Sequence, residues 1–244
     1  MEILFYSYLA IFGLILGSFI DCAVSRGSIP LGRSKCDDCG HVLSARDLIP
    51  VFSFLINRGK CRFCGAKIPN ECLFAEVFSA IIFVLLGIKF FISIELLMWL
   101  ILACFLLALS LIDFKTFILP DKLILAIILN RIIFAFILKS SPLSMLIGAL
   151  SVSLPVLLIS LLMEHILKKE TMGGGDIKLL FAIGLYFPWY NMIFLIFLAC
   201  LTALIYILIT KNMKIAFGPF ISLSCILTTL FGDIFINFYL QLII

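Results

Sequence analysis

Long apolar runs alternate with short polar interruptions along most of the chain, and the runs are about 20 residues long. A helix of that length crosses a bilayer core of roughly 30 Å. Lipid offers backbone groups no water, so only helices or closed barrels span it, and continuous apolar runs exclude a barrel. We predict eight helical segments, at residues 3–23, 72–93, 95–113, 121–138, 143–167, 176–188, 190–210 and 216–240.

The pattern also predicts how the chain is organised. The segment at residues 176–188 is short, and we expect it to be tilted or partly re-entrant. One long polar stretch, residues 24–71, separates the first two segments, and we interpret it as a small domain rather than a linker. No internal repeat is evident. We therefore divide the chain into residues 1–93, with two spans and the polar domain, and residues 94–244, a six-helix core.

Composition strengthens this interpretation. The chain is 64% hydrophobic and only 13% charged, whereas soluble domains carry about 25% charged residues. The predicted fold class is an all-α polytopic membrane protein with about eight transmembrane helices.

The placement of Lys and Arg predicts the orientation, since positive residues near span ends favour the cytoplasm. If residues 24–71 are cytosolic, 15 of the 18 basic residues fall on that side. The exceptions are Lys89, Arg131 and Lys139. We therefore expect both termini to face outward and the long loops to face the cytosol.

Four of the nine cysteines have the spacing of a metal site. Cys36-x-x-Cys39 and Cys61-x-x-Cys64 can place four thiolates around zinc, and a closed four-cysteine site is structural. Disulfides or free thiols are the alternative, although disulfides rarely persist in the cytosol. We expect a small cytosolic zinc-binding loop domain.

Two aspartates at predicted helix ends carry the candidate chemistry. Asp113 closes the third segment and Asp176 opens the sixth, and the predicted orientation puts both at the cytosolic surface. Two adjacent carboxylates that share one proton can activate water and polarise a peptide carbonyl. Charged residues at span ends tend to mark function.

The alternative is that these aspartates only cap helices. Asp121 and Asp176 suit the first turn of a helix, where negative charge is favourable. Asp113 lies at a C-terminal helix end, where negative charge is unfavourable, and this favours a functional role.

The spacing of these motifs resembles that of the type IV prepilin peptidases, which are GxGD-type aspartyl proteases. The upstream motif is Asp113 followed by the LPD of residues 119–121, and the GxGD is residues 173–176. The resemblance implies that Asp113 and Asp176 are the catalytic pair. It makes the following residues supporting ones: Asp121, Gly173, Gly175 and Lys178.

The resemblance covers nearly the whole chain. Residues 17–26 (GSFIDCAVSR), the cysteine loop, residues 70–78 (NECLFAEVF) and residues 216–223 (AFGPFISL) all resemble family segments. In bacterial members the first half is the methyltransferase, which uses S-adenosylmethionine. This makes Asp21 and Glu76 candidate cofactor residues, although Asp21 stands where most relatives have Asn.

The resemblance therefore implies an enzyme of the bacterial cytoplasmic membrane. It would cleave the leader of prepilins or pseudopilins at the cytosolic face and methylate the new N-terminal residue. We expect these substrates and lipid as partners, and no nucleic acid. The alternatives are a peptidase with an inactive methyltransferase half, a transporter with paired carboxylates, or a zinc-loop scaffold without chemistry.

Overall fold

The computed structural model describes residues 2–27, 33–36, 38–168, 172–212 and 214–243, without the side chains at 45, 236–240 and 242–243. Residues 28–32 and 37 of the predicted loop domain lie outside this part of the chain. So does Lys169, one of the 15 basic residues on the predicted cytosolic side. Nine α-helices form within it. They are α1 (Glu2–Arg26), α2 (Phe52–Ile56), α3 (Asn70–Phe90), α4 (Ile94–Thr116), α5 (Asp121–Ile137), α6 (Pro142–Leu167), α7 (Gly174–Gly184), α8 (Trp189–Thr210) and α9 (Gly218–Ile243).

All eight predicted segments are helices, so the predicted all-α polytopic class is confirmed. Among the described residues, six helices are long and apolar enough to cross a membrane: α1, α3, α4, α6, α8 and α9. Helix α5 has 17 residues. Helix α7 has 11 and is therefore about 16 Å long, so the sixth segment is as short as the sequence predicts.

Proline and lysine mark the helix boundaries. Pro69, Pro120 and Pro188 directly precede α3, α5 and α8, where the missing N–H costs nothing. Lys168 and Lys211 end α6 and α8 in the left-handed conformation, with φ of 52° and 56°. A cation at a helix C-terminus also suits the helix dipole.

The chain divides into two compact units, Met1–Leu96 and Leu97–Ile244. In the first unit α1 packs against α3 at glycine positions. A Cβ at Gly13 would lie 2.7 Å from the Ala80 Cα. The Ser79 hydroxyl donates to the Gly13 carbonyl at 2.7 Å. Small residues thus let the two helices approach closely, as is typical in membranes.

In the second unit the short helix α7 packs against α5, α6 and α9. Leu179, Leu180 and Ile183 are fully buried. At the end of α7, a Cβ at Gly184 would lie 2.6 Å from the Ala149 Cα of α6. This close crossing fixes the C-terminal end of α7 against α6.

Large apolar side chains cover the outer faces of the long helices. Phe136 is 81% exposed and Ile209 is 76% exposed. Exposed apolar surface of this extent is expected where lipid is the solvent.

Candidate active site and metal centre

Asp113 is a buried carboxylate in the last turn of α4, 4% exposed. The N–H of Gly218, the first residue of α9, donates to its Oδ2 at 2.9 Å. The C-terminal end of a helix disfavours negative charge, whereas a helix N-terminus favours it. The N-terminal end of α9 therefore offsets the unfavourable interaction between the Asp113 charge and the C-terminal end of α4.

Gly218 is required by this close approach. A Cβ at Gly218 would lie 2.7 Å from the Asp113 Oδ2 and 3.0 Å from the Leu119 Cδ2. Gly218 lies in the segment at residues 216–223 that resembles the family, but it was not predicted as a site residue. The available signal was Gly-Pro at residues 218–219, since Pro favours the first helical position.

Asp176 lies in the first turn of α7 and is half-buried. Its N–H donates to the Gly173 carbonyl at 3.0 Å. Both aspartates lie beside Leu119. A Cβ at Gly218, which binds Asp113, would lie 3.0 Å from the Leu119 Cδ2. A Cβ at Gly175, which precedes Asp176, would lie 3.0 Å from the Leu119 Cβ. The structure therefore brings together two aspartates that are 63 residues apart in the sequence.

The glycines before Asp176 have unequal surroundings. A Cβ at Gly175 would lie 3.0 Å from the Leu119 Cβ, whereas a Cβ at Gly174 would meet nothing within 4 Å. A Cβ at Gly173 would lie 3.3 Å from the Asp176 Oδ2. Gly175 thus lets α7 start directly against the LPD motif, and Gly174 has no such role.

Asp121 and Lys178 pair with each other. The Lys178 Nζ lies 2.7 Å from the Asp121 Oδ1, and both side chains are exposed. Asp121 is the first residue of α5, and Lys178 lies in α7. The pair therefore joins the beginnings of two helices and gives Asp121 an ion-pair role.

The opposite end of α7 is held by buried polar groups of α5. The Arg131 Nε donates to the Leu185 carbonyl at 2.9 Å, and the Asn130 amide donates to the Tyr186 hydroxyl at 2.9 Å. Tyr186 in turn donates to the Ile127 carbonyl. A helix as short as α7 leaves unpaired carbonyls at its C-terminal end, and Arg131 satisfies one of them.

Asp21 and Glu76 lie in the first unit, on α1 and α3, and both are buried. The Cys72 thiol donates to the Glu76 Oε1 at 3.7 Å, and Asp21 also acts on this thiol. The Val51 N–H also donates to the Glu76 Oε2 at 2.7 Å. The structure therefore forms a second carboxylate pair from the two residues that the resemblance singled out.

The four predicted metal ligands converge. The sulfurs of Cys36, Cys39, Cys61 and Cys64 all lie within 4.8 Å of one another, and those of Cys36 and Cys64 are 3.8 Å apart. Four sulfurs at the usual Zn–S distance form a tetrahedron with edges of about 3.8 Å. None of the four cysteines is disulfide-bonded in this structure, and the donor set fits zinc.

Two matching turns carry these cysteines. The segments KCDDCGHV (residues 35–42) and KCRFCGAK (residues 60–67) form equivalent bridges, with Gly40 and Gly65 at φ of 68° and 74°. Our expectation of no internal repeat was therefore wrong for this domain, because eight residues are too few to stand out against long apolar runs. The N–H groups of Cys64 and Phe63 lower the pKa of the Cys61 thiol to about 7, which favours the metal-binding thiolate.

The fold and these sites define a multi-pass membrane protein with a paired-aspartate site and a four-cysteine centre. Two family models match it: the bacterial peptidase A24 N-terminal domain over residues 11–90 and the type IV leader peptidase family over residues 100–208. The chain belongs to the type IV prepilin leader peptidase family, peptidase A24.

Full-length relatives agree with this assignment. The chain is 33% identical to a prepilin leader peptidase/N-methyltransferase of Bacillus subtilis, over 97% of this chain and 98% of that protein. It is 29% identical to a protein of the same name from Pectobacterium carotovorum, over 90% of each chain. It is 30% identical to an Escherichia coli type 4 prepilin-like proteins leader peptide-processing enzyme, over 88% of this chain and 90% of that one. The comparison with solved structures found no match.

Proposed function

We propose that this protein cleaves the leader peptides of prepilins or prepilin-like proteins with Asp113 and Asp176, and then methylates the new N-terminal residue. One observation carries the peptidase assignment. A buried Asp113, held by the Gly218 N–H, lies with Asp176 beside Leu119 in a site lined by glycine, in a family of leader peptidases.

The two carboxylates would divide the acid–base work. One accepts a proton from the attacking water, and the other, protonated, donates to the oxygen of the scissile carbonyl. Because the reaction needs one ionised and one protonated carboxyl, the rate falls when pH removes either form. Gly218 keeps the Asp113 carboxylate in place throughout.

The second carboxylate pair would serve methyl transfer. S-adenosylmethionine would supply the methyl group, and it carries positive charge on its sulfonium and its ammonium. Asp21 and Glu76 fit that charge, because a buried carboxylate attracts a cation more strongly than an exposed one. We propose that these two residues hold the cationic donor in the first unit.

The four-cysteine centre would hold structural zinc. Four thiolates leave no coordination position open for water, so the metal would stabilise the loop domain and take no part in hydrolysis. Cys36, Cys39, Cys61 and Cys64 are its ligands in this proposal.

The orientation and the substrates complete the proposal. The distribution of basic residues supports a bacterial cytoplasmic membrane protein whose residues 24–71 and aspartate site face the cytosol. The names of the relatives support prepilins and prepilin-like proteins as substrates.

A cleavage assay in reconstituted membranes tests the peptidase assignment. A prepilin-like substrate is incubated with wild-type protein and with Asp113→Ala, Asp176→Ala and Asp121→Ala variants. We expect the first two variants to lose cleavage by about 10²-fold or more and Asp121→Ala to retain most of it. Wild-type cleavage rates in either of the first two variants would exclude the dyad.

Transfer of label from S-adenosylmethionine to the cleaved product tests the second activity. Cleavage without labelling would support the peptidase-only alternative. Equilibrium dialysis of labelled S-adenosylmethionine against the Asp21→Asn and Glu76→Gln variants then tests cofactor binding directly, and unchanged binding would remove both residues from the proposal.

A further inference from the structure

A short stretch of the loop domain, residues 45–60, exposes a cluster of large apolar side chains; we refer to it as the interfacial segment. It contains a 3₁₀ turn (Ala45–Leu48), helix α2 (Phe52–Ile56) and the turn that follows. Each of the apolar side chains is at least 45% exposed. They are Leu48, Ile49, Phe52, Leu55 and Ile56.

These side chains form one face. Phe52, Leu55 and Ile56 are spaced i, i+3 and i+4, so they share one side of α2. On the other side, Phe54 packs towards Gly59, where a Cβ would lie 2.9 Å from the phenylalanine ring. The helix therefore packs one side through Phe54 and exposes the three apolar side chains of its other side.

Basic residues flank the apolar face. Arg46 precedes it, and Arg58 and Lys60 follow α2 directly. All three are exposed. An apolar face bordered by Lys and Arg is typical of helices that lie in the plane of a membrane interface.

A part-buried hydrogen bond attaches this segment to α3. The Val51 N–H, immediately before α2, donates to the Glu76 Oε2 at 2.7 Å, and Glu76 is 4% exposed. Glu76 lies six residues into the membrane-spanning helix α3, or about 9 Å along its axis. Interfacial helices insert about 5–10 Å below the headgroup boundary, and α2 begins at that level when the span is taken to start at the first residue of α3.

The backbone of Val51 supports a fixed position. Its φ is 61°, a region that a β-branched residue rarely adopts. Such a conformation persists only where the surroundings determine it. The bond to Glu76 is a contact of this kind, so the beginning of α2 is held at one place on α3.

We propose that the interfacial segment lies in the membrane interface, with its apolar face among the acyl chains and its basic residues at anionic headgroups. The partner is an anionic lipid bilayer. Exposed apolar area, flanking positive charge and attachment to the second turn of a membrane span favour the bilayer over a soluble protein partner. This inference does not depend on either proposed enzymatic activity.

Matched tryptophan variants of the full-length protein test this placement. Phe52→Trp puts the indole on the outward face of α2, and Phe54→Trp puts it on the packed face of the same helix. Each protein is reconstituted in phosphatidylcholine–phosphatidylglycerol nanodiscs with brominated acyl chains. The parent, which contains Trp99 and Trp189, supplies the background emission.

We expect bromine to quench Phe52→Trp at least about twofold more than Phe54→Trp, because only the outward face inserts. Leu55→Trp provides a second outward position and should behave like Phe52→Trp. Equal quenching on both faces, or stronger quenching of Phe52→Trp by aqueous iodide than by bromolipid, would overturn the proposal.

Charge reversal tests the choice of anionic lipid. Adding Arg58→Glu and Lys60→Glu to Phe52→Trp should reduce bromolipid quenching in phosphatidylglycerol-containing discs and leave it unchanged in pure phosphatidylcholine. The control is Lys139→Glu with Lys214→Glu, which makes the same net charge change elsewhere. Insertion that is equal in both lipids and insensitive to the reversal would overturn the headgroup part of the proposal.

Discussion

Each of the two units contains a pair of buried or half-buried carboxylates, and the pairs differ in what surrounds them. Asp21 and Glu76 lie within the facing helices α1 and α3, against Cys72. Asp113 and Asp176 lie at helix ends, against glycine. Both pairs are costly in an apolar environment, so each needs a separate reason to be there.

The two units use glycine differently: in the first it packs α1 against α3, and in the second its backbone contacts the carboxylate. Beside Asp113, the backbone at Gly218 approaches the carboxylate closely enough to donate a hydrogen bond to it. Gly175, which has no side chain, lets α7 pack closely against Leu119. An extended peptide substrate needs such backbone access. Glu76 instead binds the Val51 N–H of its own loop domain, which couples that carboxylate to the fold of the loop.

The largest effect should follow removal of the metal site from the first unit. Cys36→Ser with Cys61→Ser should abolish bound zinc and unfold the loop domain, because a site of this kind contributes about 10 kcal/mol to folding. Since Val51 belongs to this loop, the environment of Glu76 should change and methyl transfer should be lost, while cleavage persists. Metal analysis and both activity assays check this, with Cys200→Ser as the control. Stoichiometric zinc in the double variant would contradict it.

A large but more local effect is expected from the glycines of the second unit. Gly175→Ala should lower cleavage measurably but by less than about 10²-fold, because a Cβ 3.0 Å from the Leu119 Cβ displaces α7 by less than the 1 Å that costs that much. Gly174→Ala adds the same methyl group where nothing lies within 4 Å, and it should leave cleavage nearly unchanged. Steady-state kinetics of Gly175→Ala and Gly174→Ala measure both effects. Equal rates would mean that contact with Leu119 does not position Asp176.

A moderate effect is expected from the far end of α7. Arg131→Met removes the donor to the Leu185 carbonyl and should destabilise the second unit by about 1.5–3 kcal/mol, the usual value for a charged hydrogen bond. Arg131→Lys retains a donor and should recover part of this stability. Thermal unfolding in detergent and cleavage rates check both variants. Methyl transfer to a pre-cleaved peptide should not change.

The smallest effect is expected from the exposed ion pair. Lys178→Met should change stability by about 0–1 kcal/mol, since exposed pairs contribute little, and cleavage should fall by no more than about fivefold. Asp121→Asn should match it, because each variant breaks the same pair. A loss as large as that of Asp176→Ala would show that Asp121 takes part in the chemistry.

The sequence predicted the parts of this protein that depend on local pattern. The eight predicted helices, the short length of α7 and the convergence of four cysteines follow from hydrophobic runs and C-x-x-C spacing. Whether Asp113 and Asp176 are catalytic stays a prediction, although they do come together. The orientation of the chain also stays a prediction.

Contacts between distant segments could not be predicted in this way. The Gly218 N–H reaches Asp113 across 105 positions, and Arg131 reaches Leu185 across 54. Helix α2 was not predicted, because four apolar residues and one serine in a polar stretch resemble the core of an ordinary loop. The structure shows which side of α2 faces outward, since Phe54 packs against Gly59 and Phe52 is exposed.

The most direct test of the two-site account measures both activities in one substitution from each pair. Asp176→Asn and Glu76→Gln are compared for cleavage of an intact prepilin-like substrate and for methylation of a pre-cleaved one. We expect Asp176→Asn to lose cleavage and keep methylation, and Glu76→Gln to keep cleavage and lose methylation. If either substitution abolishes both activities in folded protein, the assignment of one carboxylate pair to each reaction is wrong.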